Sequence, residues 1–312
     1  MQKREHPLQK FNSISEALKA MDFPPPQHPL IALINGLDSD HSSLPPLQRH
    51  VLSFYKVSFR PYPGGSLLYG QTRFDYKEGG LFFGAPNQIV SCNEADVQAS
   101  GMICLNQQIT LLIHPEFLLN YSLAKKIKQY NFFSYSVNEA LHLSEKEKEV
   151  ILSLLRNIED ELNSRIDEFS HDVIISQIEL LLNYAHRYYK RQFITRKTVN
   201  HTLLQNLEQI LDEHFDQAGS LNRGIPTVQY LASRLNLSPS YLSDMLRSLT
   251  GQNTQQHIHN KLIEKAKEKL SGTNLSVSEI AYQLGFEQPQ SFSRLFKAKA
   301  SLSPLEFRER FN

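Results

Sequence analysis

The chain is poor in the residues that build metal centres and covalent frameworks. Its 312 residues hold only two cysteines, Cys92 and Cys104, too few for a zinc set or a disulfide scaffold, so a reduced protein is expected. It has no run of about 18 apolar residues, which argues against a membrane-spanning helix. The opening stretch, MQKREHPLQKFNSISEALKAM, lacks the apolar core of a signal peptide, and a cytoplasmic location is the expectation. There is no large charge excess either, the formal net charge being only +1. A metal-dependent barrel enzyme needs a His-x-His pair with further ligands, because adjacent strands must supply several donors at once. His41, His50 and His114 stand alone and far apart. No Ser-His-Asp grouping, Cys-His pair or phosphate-binding loop can be read, so no catalytic residue, cofactor or metal ligand is assigned.

What the chain does contain is one motif written twice. Leu231, Ala232, Leu235 and Leu237 recur 49 residues later as Ile280, Ala281, Leu284 and Phe286. Leu242, Leu246 and Arg247 recur as Phe292, Phe296 and Lys297, now 50 residues on. The register break falls where a turn would lie. Each copy reads as a helix-turn-helix. A small residue, Ala232 or Ala281, stands where two helices cross. Asn236 or Gly285 occupies a turn position that suits a left-handed backbone. Ser238 is a good N-cap with Pro239 at the first helical position, and Ser276-x-x-Glu279 is a capping box. With the apolar positions turned inward, Ser240, Ser243, Asp244 and Arg247 are left outside on the first copy. Gln290, Ser291, Ser293, Arg294 and Lys297 are left on the second. Short polar and basic side chains on one face suit the reading of base edges and the gripping of phosphates. The plainer alternative is a helical bundle with a solvated face.

Between the copies, Ile258, Leu262, Ala266 and Leu270 repeat every four residues. A helix over Asn253–Leu270 would span about 27 Å. Such a rod would hold two recognition helices near one DNA turn, about 34 Å apart. Lys261, Lys265, Lys267 and Lys269 would suit a helix lying near phosphate. From Leu221 onward there are 12 basic and 7 acidic residues, against 21 and 25 before it. The modest basic excess therefore coincides with the repeat.

The stretches LASRLNLSPSYLSDM and SVSEIAYQLGF…SFSRLFK…SPLEFR resemble the AraC family of bacterial transcription regulators over about 100 C-terminal residues. The resemblance implies an all-α domain of two helix-turn-helix motifs joined by a long helix. Double-stranded DNA and RNA polymerase are the implied partners, and a homodimer the implied state. Three positions depart from the family pattern. Asp244 stands where arginine is frequent, Pro289 falls at the start of the second recognition helix, and Ser301 replaces a frequent glycine.

Ahead of this domain, residues 1–28 read as a tether and 29–190 as a sensor and dimerisation domain. Residues 191–220 read as a linker region with a helix, and 221–312 as the DNA-binding domain. Short apolar runs separated by turn clusters over 29–118 suggest a small barrel, and the resemblance implies a cupin-like one, giving an α+β chain overall. Phe54, Tyr69, Phe74, Tyr76 and Phe82 are candidates to line a pocket for a small effector; the alternative is that they simply fill the barrel. Over 140–190 two apolar stripes predict a helical hairpin, with Leu155, Ile158, Leu162, Ile178, Leu181 and Leu182 as its proposed dimer surface. The expectation is a DNA-binding regulator modulated by a small molecule. An effector-independent regulator is the main alternative, and a barrel enzyme a remote one.

Overall fold

The computed structural model describes residues 8–37, 49–61, 66–69, 72–75, 79–91, 108–136, 139–164, 167–195, 197–216 and 224–310. His41, Tyr76, Cys92 and Cys104 lie outside them. The chain divides into two units, Met1–Gln192 and Phe193–Asn312. Among the described residues no helix is long and apolar enough to cross a membrane.

The first unit is a region of sheets and helices. It begins with β1 (Gln9–Phe11) and α1 (Ile14–Ala20), which Ser13 and Glu16 open with a reciprocal capping box. The strands β2 (Ile31–Asn35), β3 (Arg49–Leu52), β4 (Tyr55–Arg60), β5 (Ser66–Tyr69), β6 (Thr72–Asp75), β7 (Gly80–Gly84), β8 (Ile89–Ser91) and β9 (Ile109–Ile113) follow. They form a four-stranded antiparallel sheet in the order β2-β9-β4-β7, a three-stranded sheet β1-β3-β8, and the hairpin β5-β6. Among the described strands no closed barrel is formed, so the expected cupin-like barrel is not seen. At one edge of the four-stranded sheet, Leu81 exchanges backbone hydrogen bonds with Leu141, at 3.0 Å each, rather than with a further strand. At the other edge, β2 faces the segment Pro24–Pro26, which has no N–H to continue a ladder.

The aromatic side chains of these strands go into packing. Phe54, Phe59 and Phe83 are almost wholly buried, and burial of each such ring contributes about 1.5–3 kcal/mol. Phe83 meets Phe132 at 4.5 Å and Phe133 at 5.3 Å between ring centroids. The four-residue helix α2 (Leu123–Lys126) leads to α3 (Glu145–Asn163) and α4 (Ser170–Thr195). Ser144 and Glu147 make the expected capping box, and Glu147 also pairs with Arg191 of α4 at 2.9 Å. The six residues proposed as a dimer surface are all buried within the single chain. Both stripes serve intramolecular packing, and the exposed apolar side chains beside and along α4 are instead Phe169, Val173, Leu180 and Ile194.

Among the described residues the second unit's elements are all helices: α5 (Lys197–Asp216), α6 (Val228–Arg234), α7 (Pro239–Thr250), α8 (Thr254–Gly272), α9 (Val277–Gln283), α10 (Pro289–Ala300) and α11 (Pro304–Glu309). Its core is contributed by both copies of the repeat, with Leu231, Ala232, Leu242, Leu246, Ile280, Ala281, Phe292 and Phe296 all fully buried. The α8 stripe of Ile258, Leu262, Ala266 and Leu270 lies inside with them. Helix α5, read from sequence as part of a linker, belongs to this unit. Its Asp212 pairs with Lys261 at 2.8 Å and Lys265 at 3.2 Å, and its Asp216 with Lys265 at 2.7 Å.

Candidate nucleic-acid interface

The two helix pairs α6–α7 and α9–α10 are built from the same local devices. Thr227 caps α6 by accepting from the Tyr230 N–H, and Ser276 caps α9 by accepting from the Glu279 N–H. The serine's return bond holds the Glu279 carboxyl below its usual range. Each first helix ends in a left-handed turn residue, Asn236 at φ 56° and Gly285 at φ 88°. Each turn is closed by the same backbone bond, Leu237 N–H to Ala232 O at 2.9 Å and Phe286 N–H to Ala281 O at 3.0 Å. Pro239 and Pro289 both stand at the first turn of the second helix. There a missing N–H costs nothing, which accounts for the departure at Pro289. The caps before them differ: Ser238 Oγ accepts from Tyr241 N–H, whereas Gln288 makes no side-chain cap.

With the core positions fixed, the outer faces follow. On α7, Ser240, Asp244 and Arg247 share one face. Arg247 is exposed, and its guanidinium contacts the Asp244 carboxylate at 3.3 Å. Ser243 is turned partly aside, its hydroxyl hydrogen-bonded to Thr254 at the start of α8, 2.9 Å away. On α10, Gln290, Ser291, Arg294 and Lys297 are exposed, and Ser293 is half-buried. The register equates Asp244 with Arg294 and Arg247 with Lys297. One recognition face thus carries an internally neutralised pair where the other carries two exposed cations.

The lysines of α8 have a different role from the expected one. Lys261 and Lys265 are largely buried among Asp212, Asp216, Glu264 and Glu268. Lys269 donates to Gln283 at 3.0 Å, and Lys267 lies over the Phe307 ring. A hydrogen bond from Lys261, then one from Lys265, depresses the Asp212 carboxyl, while the bond to Asp216 leads in raising the Lys265 ammonium. These cations bind α5 to α8.

Two further contacts set the relation between the helix pairs. Arg308 of α11 donates to Leu270 O at 3.2 Å and to Leu275 O at 2.6 Å, satisfying carbonyls where α8 gives way to α9. Gly285 lies against Gly224 and Ile225, so closely that a Cβ would stand 2.5 Å from the Gly224 carbonyl carbon. Gly224 O in turn accepts from His214 Nε2 at 2.9 Å, and Pro226 is buried. The Gly-Ile-Pro segment is thereby fixed between α5 and the second turn rather than free. Arg308 lies within the SPLEFR stretch, but a role that joins residues over 30 positions apart leaves no periodic trace.

Of the effector candidates, Phe54 packs among Phe11, Ile14, Leu18 and Leu112, and Phe82 is buried on β7. Tyr69 lies on β5 and Phe74 on β6. Neither Phe54 nor Phe82 lines the 300 Å³ cleft of the first unit, which lies beside β2.

Residues 231–310 match the family model described as a helix-turn-helix domain. The chain is 24% identical over 259 residues to the uncharacterized HTH-type transcriptional regulator YfiF of Bacillus subtilis, covering 83% of this chain and 78% of that one. It is 31% identical over 108 residues to the regulatory protein SoxS of Salmonella typhimurium, covering 35% of this chain and 94% of SoxS. Among solved structures, the C-terminal domain of the two-component response regulator yesN from Fusobacterium nucleatum is 32% identical, covering 33% of this chain and 95% of that one, with a TM-score of 0.30.

Proposed function

The chain belongs to the AraC family of bacterial transcription regulators, and from that premise we propose that each chain reads two successive major grooves of double-stranded DNA. The supporting observation is the pair of equivalent helix pairs joined by α8, with Arg247 exposed on one and Gln290, Ser291, Arg294 and Lys297 on the other. Ser240, Asp244 and Arg247 form one reading face; Gln290, Ser291, Arg294 and Lys297 form the other. Ser243 and Ser293 flank them, Ser243 supporting α7 through Thr254. The exposed cations of α10 make the second face the stronger grip, and the Asp244–Arg247 pair weakens the first. The sheet-containing first unit is the sensing half, through which a small molecule changes operator affinity.

Selection of bound fragments, followed by spacing variants of the selected site, tests this reading. Two half-boxes about one helical turn apart are expected, and inserting about five base pairs between them, half a turn, abolishes tight binding. Binding indifferent to that insertion would refute the two-groove arrangement.

A second reading, that two chains pair, is favoured by the outer face of α4. Phe169, Val173 and Leu180 are exposed there. Glu168 and Asp172 lie toward its N-terminal end and Arg187 and Lys190 toward the other. Antiparallel self-pairing centred on Leu180 sets acid against base. Leu180→Glu is expected to yield a folded monomer by sedimentation, and an unaltered protein that is already monomeric ends this reading.

A further inference from the structure

Beyond an isolated bridge between Ile31 and His28, the edge of β2 away from β9 is covered by no described strand. Leu30 O accepts from His114 N–H at 2.8 Å, and Gly36 N–H donates to Gln108 O at 2.9 Å. In an antiparallel ladder the bonded positions alternate, so residues 30, 32, 34 and 36 face β9. Leu33 therefore turns its N–H and C=O away from β9, toward a cleft of about 300 Å³. That volume is at the lower end for small-ligand sites.

The walls of the cleft are chemically distinct. Leu18, Phe23 and the rings of Pro24, Pro25 and Pro26 form an apolar side, and Glu159 and Asn163 from the end of α3 form a polar one. Gln27 Nε2 donates to Asn163 Oδ1 at 2.9 Å, tying the proline segment to α3. Both Glu159 oxygens accept from Asn35 Nδ2, at 3.2 Å each. No lysine or arginine is among the residues lining the cleft, and burial followed by the charge of His171 lowers the affinity of His28 for a proton. Glu159 is its one formal charge. An anionic ligand would be repelled, and a neutral polyol would leave the apolar wall unused.

We propose that this cleft binds a short extended peptide of two or three residues with a free amino terminus. The peptide backbone pairs with the open edge of β2 at Leu33, as in strand addition. Its ammonium group faces Glu159, and an apolar side chain rests on the proline rings. The inference deepens the sensing role given to the first unit and rests on that reading only for its effect on DNA.

The test uses the full chain and an equimolar tripeptide library, offered with free and with N-acetylated termini. Melting temperature and operator affinity are followed together. The free library is expected to raise the melting temperature, and the acetylated library to need at least tenfold higher concentration. Glu159→Gln, which still accepts from Asn35, is expected to weaken the response at least tenfold without lowering the melting temperature of the free protein. Leu33→Pro removes an N–H that β9 does not use and is expected to lose the response likewise. No thermal response to either library overturns the proposal. So does equal response to both, with Glu159→Gln unaffected. Specific DNA binding without peptide response refutes the peptide site and leaves the DNA reading. Peptide binding by a chain that shows no specific DNA binding supports the site and refutes the DNA reading.

Discussion

Replacing Gly285 with alanine isolates how the second helix pair is held. The new Cβ would stand 2.5 Å from the Gly224 carbonyl carbon and 2.8 Å from both Gly224 O and Ile225 N. These are backbone atoms, held in place by His214 and by the burial of Pro226, so they cannot swing aside as a side-chain end would. The left-handed backbone, at φ 88°, costs a non-glycine residue about 1–2 kcal/mol. Crowding of the packed backbone adds about 1–3 kcal/mol, for a total of about 2–5 kcal/mol. Asn236→Ala is the control. It occupies the equivalent turn, at φ 56°, but already carries a Cβ, so the change adds no crowding. Urea unfolding of both variants, followed by a probe in the second unit, gives the difference directly. The two costs should differ by at least 1 kcal/mol, the lower end of the crowding range. Agreement of the two within about 0.5 kcal/mol would refute the close approach as a structural constraint.

Other substitutions probe the reading faces and their supports. Arg294→Ala should cost about 1–3 kcal/mol at the cognate site and relax preference at one base; an unchanged affinity and selected motif would remove Arg294 from the interface. Asp244→Asn releases Arg247 and should tighten binding at most sequences without raising specificity, as a gel-shift series on cognate and scrambled sites would show. Ser301, left-handed at φ 60° where the first copy has Gly251 at φ 75°, carries a strain that Ser301→Gly relieves. The gain should be about 1–2 kcal/mol and appear as a higher midpoint in thermal unfolding of the second unit. Asp212, depressed below its ordinary 3.8, adds stability that is present above that value and lost as pH falls through its folded one. Asp212→Asn should therefore flatten the acid limb of unfolding below about pH 4.

The helix pairs were legible in the sequence because their signals are local. A cap, a proline at the first turn, a left-handed turn residue and four-residue apolar spacing all lie within about 25 positions, and their recurrence set the register of the second copy. The same logic found α3 through Ser144 and Glu147. It misassigned what the stripes of α3 and α4 face, because periodicity shows that a face is apolar but not what covers it. The lysines of α8 were read as phosphate contacts for a similar reason: their partners Asp212 and Asp216 come from a helix over 40 residues earlier. Alternating aromatic runs marked strands correctly, yet strand closure depends on edges. At those edges Leu141 and three prolines intervene, and neither is visible as a pattern.

The inward use of the α8 lysines bears on how this protein meets a polyelectrolyte. With Lys261, Lys265 and Lys269 committed to carboxylates and an amide and Lys267 exposed beside the Phe307 ring, the exposed cations on the proposed reading faces are Arg294, Lys297 and Arg247, the last paired with Asp244. Counterion release scales with the phosphates neutralised, at about −0.9 in log affinity per phosphate for each decade of salt. Three such cations would give a slope of about −2.7, and a tenfold rise in salt would cost about 500-fold. Were the four lysines of α8 also on phosphate, the same rise would cost more than a millionfold. On the proposed reading faces, the inward lysines therefore make the expected salt dependence shallower than the count of basic residues suggests.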